Sequence, residues 1–539
     1  MKSIFKKLTA VLAVIVILYS SCKNPAEDVQ IIVNTDIFKS PMLLQFVNAK
    51  AGAEGPQNFT VQITGPNANL VCTTTGGKVF KAGAGLINLL LDRNAAPTPS
   101  SPVKFTVVAN VPGFAPTYQD VVITSATEQR IFKVPMVEYA NPSQNTGVVL
   151  ATKPITNGTA STDLVFTTNT NSTMADKSDI TVASGTGLLN AAGQPLNASQ
   201  VEAKIVHFGT AAAGTTQALP GGTFSTNVIG ANGQPIAAGV NFNPAGAVAI
   251  NMLAGTTQVK GFTKPVTIDM EVVSTMVNPT TNQPIKANET IPMWSLNEET
   301  GQWKSEGNAT FVTNAAGKLV ARMQITHLSI WMPAFSASAC NTNVSISRPS
   351  SEVEEQFELT SPSGNVTYAT LAVGEKTKTV ALSSTSNEKG IIKAKSVTGN
   401  YLSNSLSSPS YTTICGQNST FTFAAAPEVI NASVYIKFKC SNKDLLTGIN
   451  AAVTVTPVGG TSDDAKVYSL SNGRGSGSVI NGVTYSIVAS VDGVIYRGSF
   501  KADKNNFALP GGFDLEGTAV YSPSSNTLSI DGLVVKNCN

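Results

Sequence analysis

Histidine is scarce in this chain, since only His207 and His327 occur among 539 residues. Two imidazoles are too few for a histidine-rich metal site, and a serine-hydrolase triad would have to use one of them. Neither lies near a G-x-S-x-G motif, and the sequence has no CxxC, no HExxH, no P-loop and no glycine-rich dinucleotide turn. We therefore expect no turnover enzyme, no metal and no cofactor.

Charge is also sparse. Charged residues make up 13% of the chain, against about 25% in an ordinary globular protein. The 36 basic and 33 acidic residues are scattered, so no basic stripe predicts nucleic acid as a partner. Thr, Ser, Asn, Gly and Val are abundant instead, which favours sandwiches with uncharged polar outer faces. The expected fold class is all-β, with several Ig-like or transthyretin-like β-sandwich domains in series.

Long apolar runs are missing except at the start of the chain. The segment "MKSIFKKLTAVLAVIVILYSSC" has three lysines, then an apolar run from Leu8 to Tyr19, then small residues before Cys22. This order is typical of a signal peptide, and the run is shorter than the roughly 20 residues that a membrane-spanning helix needs. We therefore expect residues 1–21 to be a signal peptide and the remainder not to span a membrane.

The end of that segment, Leu18 to Cys22, resembles the lipobox of bacterial lipoproteins, with Tyr19 where leucine is commonest. The resemblance implies a diacylglycerol on the sulfur of Cys22, an acylated (palmitate-type) amino group and a lipidated tether over residues 22–29. An ordinary cleaved signal with an incidental cysteine is the alternative. Two or more acyl chains, at about 0.8 kcal/mol per buried CH₂, give a stable anchor.

The residues after the cysteine bear on location. Lys23 stands where an inner-membrane retention signal has aspartate, which favours the outer membrane. The tether "KNPAED" resembles the export signals of Bacteroidota-type surface lipoproteins and implies a place in the cell envelope, facing either the periplasm or the cell surface. The expected partners are the membrane, through the anchor, and an unidentified envelope protein or glycan.

Five further cysteines remain in a compartment that permits disulfides. Cys340 and Cys415 bracket one candidate domain, and Cys440 and Cys538 bracket the next. Four cysteines allow three pairings, and this bracketing favours Cys340 with Cys415 and Cys440 with Cys538. Cys72 is left over, and its place in an apolar, strand-like segment predicts a buried free thiol.

Apolar residues alternate along much of the chain, which indicates half-buried strands. In "PVTIDMEVV" the alternation directs Val266 to Val272 in steps of two toward a core, and Thr267, Asp269 and Glu271 toward water. Helical periodicity is nearly absent; the run "GAGLINLLLDRN" around Leu86 to Arg93 is the most apolar exception and fits either a helix or a buried strand. Turn-rich punctuation predicts four β domains. They cover residues 30–139, 140–338, 339–428 and 429–539, and the first resembles transthyretin-like or carboxypeptidase-regulatory-like modules.

The rare aromatic residues are concentrated in the second domain. Trp294, Trp303 and Trp331 all fall in the segment that also holds His327. Tryptophans at this spacing usually pack a sandwich core. If they instead formed an exposed row, they would stack on sugar rings, so glycan binding is the alternative function for these three residues.

Two further motifs occur in the same domain. Pro244-Ala245-Gly246-Ala247 opens an apolar strand, and two tryptophans, an "EG" turn and the triplet His327-Leu328-Ser329 follow in order. From near Pro220 to Phe335 this region resembles ZU5/UPA β-sandwiches and the GPS element that closes GAIN domains. It departs from the GPS pattern at the four cysteines, which are replaced by Ile291, Asn308, Met323 and Ile325.

The resemblance implies a self-cleavage reaction at the Leu328-Ser329 peptide bond. The hydroxyl of Ser329 would attack the carbonyl carbon of Leu328 while His327 takes the proton, and water would hydrolyse the resulting ester. Such a cut occurs once and is not turnover. A regular strand would place His327 and Ser329 on one face, and attack would require a bend that brings the hydroxyl onto the peptide. Without a bend the segment is a sandwich strand.

Overall fold

The computed structural model describes the chain from residue 39 to residue 536 with short gaps. The gaps are 51, 74–75, 99, 127–129, 144–145, 171–175, 211–217, 237–239, 274, 279–280, 282, 337–338, 350–354, 363–365, 373, 386–387, 397–400, 402–404, 425–427, 441–445, 449–450, 461–463, 471, 492–493 and 509–514. Within the described part, regular structure is almost entirely β-strand, with a 3₁₀ turn at Ala68–Leu70. The predicted all-β fold class is confirmed. Among these residues there is no helix with the length and apolar character needed to cross a bilayer.

The first sandwich consists of eight strands in two sheets, ordered β3-β5-β1-β8 and β4-β2-β6-β7. Its strands are β1 Lys39–Asn48, β2 Phe59–Thr64, β3 Val71–Cys72, β4 Phe80–Ala82, β5 Leu86–Leu91, β6 Val103–Ala109, β7 Thr117–Ile123 and β8 Arg130–Met136. Side chains from both sheets form one core, with Leu44, Leu89 and Ile123 fully buried.

The middle region has seventeen strands. They are β9 Thr146–Pro154, β10 Leu164–Thr167, β11 Ser178–Val182, β12 Leu188–Leu189, β13 Gln200–Phe208, β14 Phe224–Ser225, β15 Val228–Ile229, β16 Val240–Pro244, β17 Ala247–Ala254, β18 Thr257–Gln258, β19 Gly261–Glu271, β20 Val277–Asn278, β21 Gln283–Pro284, β22 Thr290–Asn297, β23 Gln302–Thr313, β24 Leu319–His327 and β25 Ile330–Ser336. The principal sheet runs β10-β11-β19-β24-β23-β22-β25-β17-β13-β9. It curves until its end strands approach, and the N–H of Asn169 donates to the carbonyl of Val148 at 3.3 Å.

The third group of strands forms two sheets, β29-β26-β32 and β28-β27-β30-β31. Its strands are β26 Ala339–Ser347, β27 Glu355–Thr360, β28 Val366–Leu371, β29 Thr377–Thr385, β30 Lys393–Ser396, β31 Ser405–Ser407 and β32 Asn418–Thr422. Cys340 and Cys415 are joined by a disulfide across 75 residues of sequence. This predicted pairing is confirmed.

The fourth group also forms two sheets, β36-β35-β38-β39 and β34-β33-β42-β41-β40, with β37 beside β33. Its strands are β33 Val429–Cys440, β34 Leu446–Gly448, β35 Ala451–Pro457, β36 Lys466–Leu470, β37 Arg474–Ile480, β38 Thr484–Val491, β39 Val494–Lys501, β40 Phe507–Ala508, β41 Leu515–Ser522 and β42 Thr527–Lys536. The core between these sheets includes Ile430, Tyr485 and Leu528, all fully buried.

Both outer faces of the first sandwich are covered by other domains. On one face, Val108 and Tyr118 enter a second core with Phe242, Trp303 and other middle-region residues. On the other face, Leu43 packs against Val467 of the fourth group. The sequence suggests domains that project one after another, whereas in the structure the last domain packs back onto the first.

This double burial explains the apolar run that lacks alternation. The run forms β5, so the strand interpretation is correct and the helix is excluded. Ile87, Leu89 and Leu91 face the core of the first sandwich, whereas Leu86 packs toward Leu43 and the fourth domain. A strand buried on both faces needs apolar residues at every position rather than at every second one.

The alternation predicted along β19 is correct on its apolar face and wrong at one polar position. Val266, Ile268 and Met270 are fully buried as expected. Glu271 is not turned to water: it is 3% exposed and pairs with Lys318 at 2.8 Å. The ion pair offsets part of the cost of burying the carboxylate.

Candidate functional site

The triplet His327-Leu328-Ser329 lies where the chain changes pairing partners. β24 ends at His327 and pairs with β19 and β23, whereas β25 starts at Ile330 and pairs with β22 and β17. Leu328 and Ser329 lie between the two strands, and Ser329 is in a bend. The regular strand is therefore interrupted at the bond that the GPS resemblance identifies as scissile.

The hydroxyl of Ser329 is held away from the role of nucleophile. Ser329 is 3% exposed, and its Oγ donates a hydrogen bond to the carbonyl oxygen of Leu296 in β22. The N–H of Leu328 donates to the carbonyl of Lys260 at 3.0 Å. Both residues are thus fixed by neighbouring strands.

His327 faces a carboxylate. Its Nε2 lies 3.5 Å from Oε1 of Glu306, and its ring centroid lies 4.8 Å from that of Trp331. Burial raises the pKa of Glu306, but hydrogen bonds from His327, Lys304 and Ser295 outweigh burial and lower the pKa to about 2. An ionised Glu306 therefore accepts from the imidazole.

The serine and the histidine do not form a catalytic pair in this structure. Among the hydrogen bonds of the described residues, none joins His327 to Ser329, because each side chain has another partner. A general base must lie within hydrogen-bond reach of the proton that it removes. Self-cleavage remains a prediction of the resemblance. The observed contacts do not place the Ser329 hydroxyl against the imidazole that would have to accept its proton.

The three tryptophans do not form an exposed row. Trp294, Trp303 and Trp331 are 5%, 0% and 2% exposed. The ring of Phe242 lies 5.1 Å from Trp294 and 5.3 Å from Trp303, in the core shared with the first sandwich. The glycan-stacking hypothesis for these residues is therefore corrected, because a buried ring offers no face to a sugar.

The remaining sequence-predicted residues divide into two groups. Cys72 is a free, buried cysteine as expected, and burial raises its pKa to about 11. Cys22 and Cys538 lie outside the described residues, and of Cys440 only the backbone, at the end of β33, is described. Lipidation at Cys22 and the pairing of Cys440 with Cys538 therefore stay predictions.

The other histidine belongs to a network that the sequence did not reveal. Nδ1 of His207 in β13 lies 2.8 Å from the hydroxyl of Ser178 in β11. Its Nε2 lies 3.3 Å from Oδ2 of Asp176. With a neutral imidazole, Nε2–H donates to the carboxylate, and Nδ1 accepts from the hydroxyl. The network connects the second strand from one end of the curved sheet to the second strand from the other end.

This set has the residue types of a hydrolase triad without its accessibility. Ser178 and His207 are 0% exposed, and Asp176 is 7% exposed. Burial raises the pKa of Asp176, but the contact with His207 outweighs burial and keeps the pKa below its ordinary value. A hydroxyl with no exposed surface does not meet a dissolved substrate. The network is therefore a buried set of hydrogen bonds that stabilises the contact between the two ends of the sheet.

The sequence held a partial signal for this network. In "VEAKIVHF" the residues Val201, Ala203 and Ile205 alternate toward the core, and His207 continues the same face. A histidine at an inward position must find polar partners, because an unpaired buried polar group is costly. Which residues supply them depends on the sheet order, and no local pattern encodes that order.

Comparison with known proteins adds little. No protein-family model matches the chain, and no curated protein matches it. Among solved structures, the Bacillus anthracis TIE protein is 11% identical, with 66% of this chain and 72% of that chain covered and a TM-score of 0.14. BcpA, the major pilin subunit of Bacillus cereus, is 10% identical, with 93% and 100% covered and a TM-score of 0.13. A C-terminal fragment of the pilus adhesin SpaC from Lactobacillus rhamnosus GG is 11% identical, with 37% of this chain and 98% of that chain covered and a TM-score of 0.14. At these TM-scores the likenesses carry no argument about function.

Proposed function

We propose that this chain is a lipoprotein of the cell envelope, anchored through Cys22 to the outer membrane, whose β-sandwiches form a binding or structural module without turnover chemistry. The observation that carries the proposal is the double coverage of the first sandwich. This domain lies next to the tether in the sequence, and the middle region and the fourth domain pack on its two faces.

Polar contacts reinforce the junction with the middle region. Oδ1 of Asp120 in β7 accepts from the hydroxyl of Thr106 at 2.7 Å, and Oδ2 accepts from the hydroxyl of Ser225 at 2.6 Å. Thr64 donates to the carbonyl of Thr300 at 2.9 Å. A partly buried carboxylate with several donors favours one relative position of its neighbours, since another position would leave it with fewer partners.

A further contact joins the first sandwich to the third domain. Nε of Arg130 lies 3.9 Å from Oε2 of Glu358, and both side chains are largely buried. The guanidinium also packs over the ring of Phe132 at 4.4 Å. The first sandwich thus contacts all three later domains. A tether on this sandwich would therefore fix the position of the whole packed module relative to the membrane.

Metabolic labelling tests the anchor. The full chain, expressed with its own leader in a Gram-negative host and fed an alkyne fatty acid, should carry the label at Cys22. Cys22→Ala should lose the label and leave the membrane fraction. Cys72→Ala is the matched control, because Cys72 is buried and free, and this variant should stay labelled. Equal labelling of wild type and Cys22→Ala would refute the anchor.

Protease treatment of intact cells tests the location. A chain on the cell surface should be digested without lysis, whereas a periplasm-facing chain should be digested only after the outer membrane is opened. Recovery of the protein with the inner membrane after density-gradient separation would contradict an outer-membrane location.

A further inference from the structure

A groove with both polar and apolar lining residues lies between the first and fourth sandwiches. It has a volume of about 610 Å³ and is lined by Gln45, the segment 456–460, Ser486 and the segment 497–499. Ligand sites commonly measure about 300–1,000 Å³ and favour domain interfaces. The groove thus has the size and the position of a small-ligand site.

The floor of the groove is a row of hydroxyls set by strand register. Thr456 in β35 pairs with Ser486 in β38, which in turn pairs with Ser499 in β39. Residues in register on adjacent strands share a face, about 4.8 Å apart. Inward-facing neighbours such as Val455 and Phe500 are buried in the domain core, so the three hydroxyls face outward together.

The polar side chains of the groove are not paired with any residue that the structure describes. Among the hydrogen bonds and ion pairs of the described residues, none engages the side chain of Gln45, Thr456, Ser486, Arg497 or Ser499. By contrast, the side chains of Asp120 and His207 are each paired with neighbouring residues. Five convergent groups with unused hydrogen-bonding capacity are suited to a ligand.

Two basic side chains lie at the groove. Arg497 is exposed on its rim, and exposed Lys133 is the register partner of Gln45 on the neighbouring strand. The carboxylate of Asp464 lies at the loop of Gly460, with Oδ2 3.3 Å from where a Cβ would be. An exposed guanidinium binds a carboxylate through two parallel hydrogen bonds.

One edge of the groove is apolar and open. Val458 is 64% exposed beside Pro457, and Gly459 adopts a φ of +85° with open space at its Cβ position. This edge suits the C–H face of a sugar ring. The hydroxyl groups, the guanidinium and the small apolar rim are complementary to the hydroxyls, the carboxylate and the C–H face of an acidic sugar.

We infer that this groove binds an acidic saccharide, with its carboxylate on Arg497 and its hydroxyls on the row of Thr456, Ser486 and Ser499. The site is distinct from the buried tryptophans. The inference deepens the binding role proposed above and rests on it, but it does not depend on the lipid anchor.

Calorimetric titration of the full chain tests the inference. The probes are a tetrasaccharide of galacturonic acid, its methyl-esterified form and sialyllactose. We expect saturable binding of at least one acidic sugar and, where the galacturonate binds, at least 10-fold weaker binding of its ester, since charge-assisted hydrogen bonds are about twice as strong as neutral ones. Arg497→Gln should weaken acidic binding about 10- to 100-fold, and Ser486→Ala about 2- to 10-fold.

Lys439→Gln is the matched control. Lys439 is exposed on β33, in the other sheet of the same domain, and its replacement changes the net charge equally. This variant should bind like wild type, and all variants should keep the wild-type circular dichroism spectrum. Absence of binding by both acidic sugars, equal binding of the ester, or an unchanged Arg497→Gln would overturn the inference. The labelling at Cys22 would be unaffected by any of these outcomes, so failure here is distinguishable from failure of the anchor.

Discussion

Replacing His207 with phenylalanine removes both ring nitrogens while keeping a planar side chain of similar size. The hydroxyl of Ser178 and the carboxylate of Asp176 would then lose their shared partner inside the fold. An unsatisfied buried hydroxyl costs about 1–3 kcal/mol, and a buried carboxylate that loses its hydrogen-bond donor costs more. Because Asp176 is at the edge of the core and Lys318 lies near it, we expect a loss of about 3–5 kcal/mol of unfolding free energy.

Tryptophan fluorescence gives a selective assay for this loss. All three tryptophans are in the middle region and are buried there. Their emission during urea unfolding therefore reports on the domain that contains His207, even if the other domains unfold separately. The linear dependence of unfolding free energy on urea concentration converts the shift of the midpoint into a free energy.

The only other histidine supplies the control. His327 is half-exposed and contacts Glu306 near the surface, and exposed ion pairs contribute about 0–1 kcal/mol. His327→Phe should therefore cost less than about 1 kcal/mol. If the unfolding free energy of His207→Phe lay within 1 kcal/mol of the wild-type value, the conclusion that the buried network stabilises the domain would be refuted.

The pH dependence provides a second readout. The pKa of Asp176 lies below its ordinary value in the fold, so this carboxylate contributes stability above its unfolded pKa, about 3.9. That contribution is lost as the pH falls through the lower, folded pKa. In His207→Phe burial would dominate and raise the pKa. The difference in unfolding free energy between wild type and variant should therefore narrow as the pH falls from the raised pKa of the variant, above about 3.9, to the lowered pKa of the wild type.

Three other outcomes follow from the described contacts. Denatured wild-type chain should run as one intact band on a gel, because Ser329 donates to Leu296 instead of facing His327; two fragments that merge into one in Ser329→Ala would show that self-cleavage occurs. Replacing Cys340 and Cys415 with serine should cost about 4 kcal/mol in urea unfolding, since the disulfide closes a loop of 75 residues; a change below 1 kcal/mol would contradict this. Glu306→Gln should flatten the loss of stability between about pH 4.5 and pH 2, because hydrogen bonds lower the pKa of Glu306 to about 2; an unchanged acid limb in urea unfolding would contradict this.

Alternation along the sequence correctly predicted burial where burial depends only on which face of one strand a residue occupies. Alternation placed Val266, Ile268 and Met270 in a core because successive residues of a strand face opposite sides. The failure at Glu271 has a non-local cause, since Lys318, 47 residues later, provides the partner that permits burial. Periodicity indicates which positions fit a core, but it does not indicate where a buried charge finds its counterion.

Features that depend on sheet order were beyond such patterns. Ser178 and His207 meet because β11 and β13 lie near opposite ends of a ten-strand path that curves on itself. The row of Thr456, Ser486 and Ser499 likewise exists only through the register of three strands. Each residue alone is an ordinary polar residue in a strand, so its sequence neighbours give no sign of the cluster.

The pairing of polar groups separates stabilising sites from binding sites in this chain. His207, Asp120 and Ser329 have the chemistry that catalysis would use, but each is at least partly buried and engaged by a neighbouring strand or domain. Such groups stabilise the fold, since disengaging one of them would cost a large fraction of the free energy by which a domain is stable. In the part of the chain that the structure describes, no side-chain hydrogen bond or ion pair engages Arg497, which is exposed, or the neighbouring half-buried hydroxyls. A ligand that satisfies them gains hydrogen bonds without breaking any in the protein, so binding function is expected at this groove rather than at the two histidines.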